Sequence, residues 1–136
     1  MEKEKNKMMS VKESVKKEEQ LKKIHQSNGF SRDTWNLLVH DTNIDVALAM
    51  FEKYLENLKD SEKLLETSKL PTDSETIYRV VHKLSSTSEI LGYVDFGKQC
   101  RALQKAIKEN LINNSTEELL TLIKQKIKTL QHQTKI

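Results

Sequence analysis

Four stretches of the chain repeat apolar residues at intervals of three and four, and that spacing restricts the fold to packed helices. In the stretch from about Asn43 to Thr67, Ile44, Leu48, Phe51, Leu55, Leu58 and Leu65 step by four, three, four, three and seven, a heptad seam interrupted at Glu62. Ile77, Val81, Leu84, Ser88 and Leu91 form a second stripe. Tyr93, Phe96, Cys100, Leu103 and Ile107 form a third, and Leu120, Ile123, Ile127 and Leu130 a fourth. A helix that is apolar on one side only must bury that side against a neighbour. Pooling the four stripes predicts an all-α chain, an antiparallel up-down four-helix bundle with short loops. Three Gly and one Pro in 136 residues are too few for the reversals of a turn-rich β fold.

Local signals set the expected ends. Ser31 reads as the N-cap of a short extra helix reaching about His40, with Trp35, Leu38 and Val39 capping one end of the bundle. Pro71 and Thr72 open the next long segment, Thr72 and Glu75 having capping-box spacing, and Gly92 closes it. Ser115 and Glu118 have the same spacing at the start of the last segment. Gly97 breaks a helical pattern beside the seam and suggests a close helix approach.

The charge is unevenly placed. Residues 1–24 hold eight Lys and five Glu, which accounts for the whole net charge of +3; the remainder balances. The expected organisation is therefore a charged, flexible or frayed helical extension over 1–28 and a bundle over 29–136. An alternative makes the extension a membrane-surface or partner-docking helix using Met8, Met9, Val15 and Leu21, although its interspersed glutamates weaken attraction to anionic lipid. With no basic surplus on the body, nucleic acid is not an expected partner. The longest apolar run, Val46 to Phe51, is six residues, far short of a membrane span. No secretory signal is visible and the one cysteine cannot form an internal disulfide, so a reducing cytoplasm is expected.

One polar residue stands out by its position. At about 100° per residue from the middle of the second stripe, His82 falls near about 140°, Ser85 about 80°, Ser86 about 180° and Glu89 about 120°. Tyr78 and Arg79 flank the histidine one turn earlier, and small hydroxyl side chains follow it. The imidazole is thus expected on the outer face, uncrowded. With an unperturbed pKa of about 6.5, such a group can be neutral and nucleophilic near pH 7. His25, His40 and His132 lack a second ligand at helical spacing. His40 with Asp41 and Asp45 is only a weak metal suggestion, and no metal site is expected. Cys100 lies in a seam and should pack as a small apolar residue. There is no Gly-rich phosphate loop, hence no visible ATP site.

The run His82-Lys83-Leu84-Ser85-Ser86-Thr87-Ser88-Glu89-Ile90-Leu91-Gly92, followed by Cys100, resembles the histidine-containing phosphotransfer (HPt) family. That family's usual pattern is His-x-Leu-Lys-Gly-Ser-Ser-x-x-Leu-Gly with a cysteine about eight residues on. His82, Leu84, Ser88, Leu91, Gly92 and Cys100 match, and Thr87 is conservative for serine. The resemblance covers roughly residues 30–132 in four-helix order. Two positions depart: the motif lysine is Ser85, and the motif glycine is Ser86.

The resemblance implies a phosphohistidine carrier without kinase activity. His82 would accept a phosphoryl group from a receiver-domain aspartate or a hybrid sensor kinase and pass it to another receiver. It implies Nε2 as the attacking atom, Nδ1 held by a hydrogen bond, and Gln104 as the residue holding the ring. No cofactor is expected on this chain; any Mg²⁺ would sit on the receiver. Rotation along the fourth stripe's predecessor puts Gln104, Lys108 and Arg101 on the flank facing His82. Arg79, Arg101 or Lys108 would supply the charge lost with the motif lysine, with Lys83 a further partner- or phosphate-binding residue. Tyr78, Ser85, Ser86 and Glu89 would line the partner surface of a monomer. The lost lysine also motivates an alternative, a non-phosphorylated adaptor that docks receivers. A third reading places function in residues 1–24.

Overall fold

The computed structural model describes the backbone of residues 2–135 and the side chains of residues 14–135. Among the described residues the chain is all-α, with six helices and no strand: α1 (Glu2–Gln26), α2 (Arg32–Asp41), α3 (Ile44–Glu66), α4 (Ser74–Leu91), α5 (Val94–Lys108) and α6 (Asn114–Thr134). Helix α3 packs on α4 and α6, and α5 packs on the same two helices; α2 lies against α3 and α4, and α1 against α6.

The heptad logic is what fills the interior. Leu48, Phe51, Leu58 and Leu65 of α3 are buried, as are Ile77, Val81, Leu84, Ser88 and Leu91 of α4. Tyr93 with Phe96, Cys100 and Leu103 of α5, and Leu120, Ile123, Ile127 and Leu130 of α6, complete the core. Ile44, expected in the seam, sits at its end and is 37 % exposed. Cys100 is inert packing: burial first, and then the Glu89 charge, pushes its thiol up to about 12.

One end of the body is built from aromatic rings. Phe51 meets Trp35 and Tyr54 edge-on, and Tyr93 stacks on Tyr54 and takes Phe30 against its edge. Burying two phenols requires partners for their hydroxyls. Tyr54 Oη lies 2.7 Å from Ser88 Oγ, and Tyr93 Oη 2.7 Å from Ser27 Oγ. Burial raises both phenols, that of Tyr93 to about 12. The second bond ties the segment after α1 to the core, and Ile24 of α1 is fully buried beside it. Lys126 Nζ and Gln133 Oε1 also bond the Asn28 backbone, and Lys23 donates to the Lys135 carbonyl. Further along α1, Lys17 pairs with Asp45 at 2.6 Å. Val15 is half exposed and Leu21 partly buried, while Met8 and Met9 lie outside the residues whose side chains are described.

Three helix ends follow the sequence reading. Ser31 Oγ caps Thr34 N, Asn43 Oδ1 caps Val46 N, and Gly92 closes α4 in the left-handed conformation at φ 114°. A Cβ on Gly92 would also lie 2.7 Å from Phe30 Cε2, so glycine is required there twice over. Both predicted capping boxes are corrected. Helix α4 starts at Ser74 without a side-chain cap, because the Asp73 carboxylate accepts from Lys69 N instead and Ser74 Oγ donates to Pro71 O. Helix α6 is opened by Asn113 and Thr116, not Ser115 and Glu118. Asn113 caps Thr116 N, and the buried Thr116 hydroxyl also reaches Leu111 O at 2.5 Å, which anchors the loop one step earlier. None of the described helices is long and apolar enough to cross a membrane.

Two outcomes follow. Phe51→Ala removes a fully buried ring from the aromatic end and should cost about 3–5 kcal/mol, read as a lower denaturant midpoint. His25 stacks on Phe30 with its Nε2 buried and unpartnered, and burial, then Arg32, lowers its pKa from 6.5. The unfolded chain therefore binds this proton more readily than the folded one. Stability should fall as pH drops through 6.5 and below, and His25→Phe should remove that component in thermal melts between about pH 7.5 and 5.5.

Candidate functional site

Helices α4 and α5 run antiparallel from the Gly92 turn and approach more closely than side chains normally permit. A Cβ on Gly97 would stand 2.5 Å from Glu89 Cγ and 2.8 Å from the Ser85 carbonyl oxygen. The absent side chain lets α5 settle on α4, as the sequence suggested. The approach controls what meets on the outer flank of the pair.

His82 lies on that flank, exposed. Its Nδ1 is 2.9 Å from the amide nitrogen of Gln104 on α5. The same amide nitrogen donates to Tyr78 Oη at 3.3 Å. The Tyr78 ring, one turn before His82, is parallel to the imidazole within 4°, with centroids 6.1 Å apart. Two contacts thus orient the imidazole, one along the helix and one across the groove. With the amide nitrogen donating to Nδ1, the proton of a neutral ring resides on Nε2. Turning the carboxamide over puts its oxygen in the same place. It then accepts from Nδ1–H and from the Tyr78 hydroxyl, leaving an Nε2 lone pair.

The other candidates divide sharply. Ser86 is exposed beside the ring, as expected. Ser85 is not on the outer face: it is 1 % exposed, and its hydroxyl donates to His82 O at 2.8 Å. The close approach at Gly97 covers it, so it is corrected from surface residue to groove floor. Arg101 makes a two-bond fork to Glu89, Nε to Oε1 at 2.7 Å and an Nη2 bond to Oε2 at 2.8 Å. That hydrogen-bonded guanidinium is the main cause holding the Glu89 carboxyl below its usual range. Arg79 bonds Glu75 at 2.6 Å, one turn toward the start of α4. Lys83 and Lys108 are exposed, and their side-chain amines make no hydrogen bond or ion pair among the described residues.

On the core side of α4, Ser88 is held by Tyr54 of α3, which locks α4 in rotation from behind. Tyr54 is absent from the heptad reading; its step of three from Phe51 and four to Leu58 was the available signal. No group of three or more His, Cys, Asp or Glu side chains that could hold a metal ion occurs among the described residues. His40 Nδ1 lies 3.4 Å from Asp41, while Asp45 pairs with Lys17.

A match to the family model for the Hpt domain spans residues 44–133, and the chain belongs to that family. Hpt domains are phosphocarrier modules of two-component phosphorelays, working with receiver domains and kinases. Comparison with curated proteins and with solved structures gave no match.

Gly97→Ala tests the central role of the close approach. It should cost about 1–3 kcal/mol of stability, because backbone and a packed methylene stand in the way. It should also move the His82 ring resonances in NMR spectra; unchanged resonances would uncouple Gly97 from the imidazole.

Proposed function

We propose that this chain is a phosphorelay intermediate that takes a phosphoryl group on His82 from a receiver aspartate or a hybrid sensor kinase and delivers it to a second receiver. In this reading α3 to α6 act as an antiparallel up-down four-helix bundle within a domain over residues 29–136, with 1–28 as an extension whose last turn docks on the core. The protein works as a cytoplasmic monomer. The observation that carries the proposal is the exposed imidazole held at Nδ1 by Gln104, which leaves Nε2 without a hydrogen bond among the described residues.

The step is an in-line displacement. With the Gln104 amide oxygen accepting Nδ1–H, the Nε2 lone pair attacks phosphorus of the aspartyl phosphate. The P–N bond forms as the P–O bond to the acyl group breaks, and the aspartate leaves as a carboxylate with that electron pair. Nδ1 keeps its proton. Transfer onward is the reverse displacement by another receiver's aspartate. Phosphoryl transfer depends on positioning and charge, so an oriented nucleophile is the main contribution this chain has to make. Mg²⁺ belongs to the receiver's carboxylates. Exposed Ser86 leaves room for that partner above the ring, with Tyr78 and Lys83 at the rim of the contact.

Incubation with a phosphorylated receiver should label the wild-type chain with an acid-labile, base-stable phosphate. His82→Gln should take up none. Gln104→Ala should slow transfer roughly ten-fold, the effect of losing a hydrogen bond worth about 1–1.5 kcal/mol. Equal labelling of wild type and His82→Gln would refute the assignment, and receiver binding with no label on wild type would favour the adaptor.

A further inference from the structure

Phosphorylation of His82 would bring up to two negative charges to a surface whose motif lysine is missing. Ser85, in the lysine's place, is buried and folded back on the His82 carbonyl. Arg79 is drawn the other way, to Glu75. The groove itself shows where a cation stands. His82 faces Gln104, and Glu89 packs on Gly97, so each residue toward the turn on α4 is matched by one on α5. Three steps from the first pair put Arg101 opposite Ser85. The cation missing from α4 thus reappears at the same level on α5.

From that level two anions are within one turn. Glu89 lies four residues beyond Ser85, and His82 three residues before it, roughly 6 and 4.5 Å along the helix axis. Arg79 already spans a comparable distance to Glu75. The short Ser85 side chain is buried and bonded to the His82 carbonyl, so it does not itself stand between Arg101 and the imidazole. Arg101 and Gln104 are also three apart on α5, hence on the same flank.

We propose that Arg101 is the phosphoryl clamp of this site. In the resting protein its guanidinium is held by Glu89. When His82 carries a phosphoryl group, the fork swings across its own level from the Glu89 side to the His82 side, about 10 Å or two turns along the groove, and bonds two phosphoryl oxygens, releasing the Glu89 carboxylate to water. The exchange makes and breaks hydrogen bonds only. It is driven by charge, since a phosphoryl dianion competes well against one carboxylate for a planar fork that suits either. The Arg101 side chain is half exposed, 54 % accessible against 28 % for that of Glu89, so water can take the place of either partner during the exchange. Glu89 then acts as the holder that keeps Arg101 aligned while the histidine is free. The inference rests on His82 being the phosphoacceptor and adds the residue that neutralises its cargo.

The test uses the full chain phosphorylated by phosphoramidate, a small donor that needs no protein partner. The ³¹P resonance of the phosphohistidine is titrated in wild type, Arg101→Ala, Arg101→Lys and Lys108→Ala, with ¹³C detection of the Glu89 carboxyl. Removing a cation at hydrogen-bond distance should raise the pKa of the phosphoryl group in Arg101→Ala by at least about half a unit. Arg101→Lys should fall between that variant and wild type. The Glu89 resonance should move on phosphorylation of wild type and stay still in Arg101→Ala. Identical titrations of wild type and Arg101→Ala, with a Glu89 signal indifferent to phosphorylation, would overturn the clamp while leaving His82 as acceptor. A shift in Lys108→Ala instead would assign the role to Lys108 and also overturn it. Failure of wild type to form any phosphohistidine, or a signal surviving in His82→Gln, would bring down the reading of His82 itself.

Discussion

The contact between α4 and α5 at Gly97 is the constraint on which the site depends. A hydrogen atom in place of a methyl group lets the Ser85 carbonyl and the Glu89 side chain sit against the α5 backbone. Since both helices are rigid, the spacing at one level fixes the spacing a turn or two away. Gln104 meets His82, and Arg101 meets Glu89, because the helices stand this close at that point. The opposite face of α4 is fixed as firmly. Ser88 bonds the Tyr54 hydroxyl inside the core, so α4 cannot rotate to withdraw the histidine without leaving a buried phenol unpaired.

This division explains how a small helical protein can hold a reactive group in the open. The apolar stripes stabilise the body and carry no chemistry. The outer flank of the α4–α5 pair holds the candidate site and adds little to stability, because its ion pairs are exposed. The imidazole stays accessible, yet its orientation comes from Tyr78 on its own helix and Gln104 on the next. An oriented, accessible imidazole is what the carrier role of the Hpt family, to which the chain belongs, would ask of a phosphoacceptor.

Much of this was legible from residue spacing. The stripes of α4, α5 and α6 predicted buried residues correctly, apart from Ile107 at the end of α5, which is only partly buried, because each helix turns the same angle per residue regardless of context. The outward placement of His82 follows from that rule, and Gly92 as a helix end follows from its left-handed backbone. Other readings failed where several local choices compete. Thr72 with Glu75 and Ser115 with Glu118 have good capping spacing, but the loops before α4 and α6 satisfied their backbone groups through Asp73, Asn113 and Thr116. Ser85 shows the limit of an angular argument: at about 80° from the stripe centre it lies on the border, and the nearness of the adjacent helix buries it. Ile24 looked like part of a charged extension because its neighbours are lysines, yet it is a fully buried core residue.

Sequence alone determined that the chain is helical, which faces of its helices are apolar, and that one histidine points away from the seam, since helical periodicity is a property of the backbone. Tertiary structure decided the remainder. It brought Gln104 to the imidazole, set Arg101 on Glu89 and sank Ser85 beneath the groove. Those contacts join residues on different helices, and their distances depend on how closely two surfaces pack, a quantity that no periodicity within one helix contains.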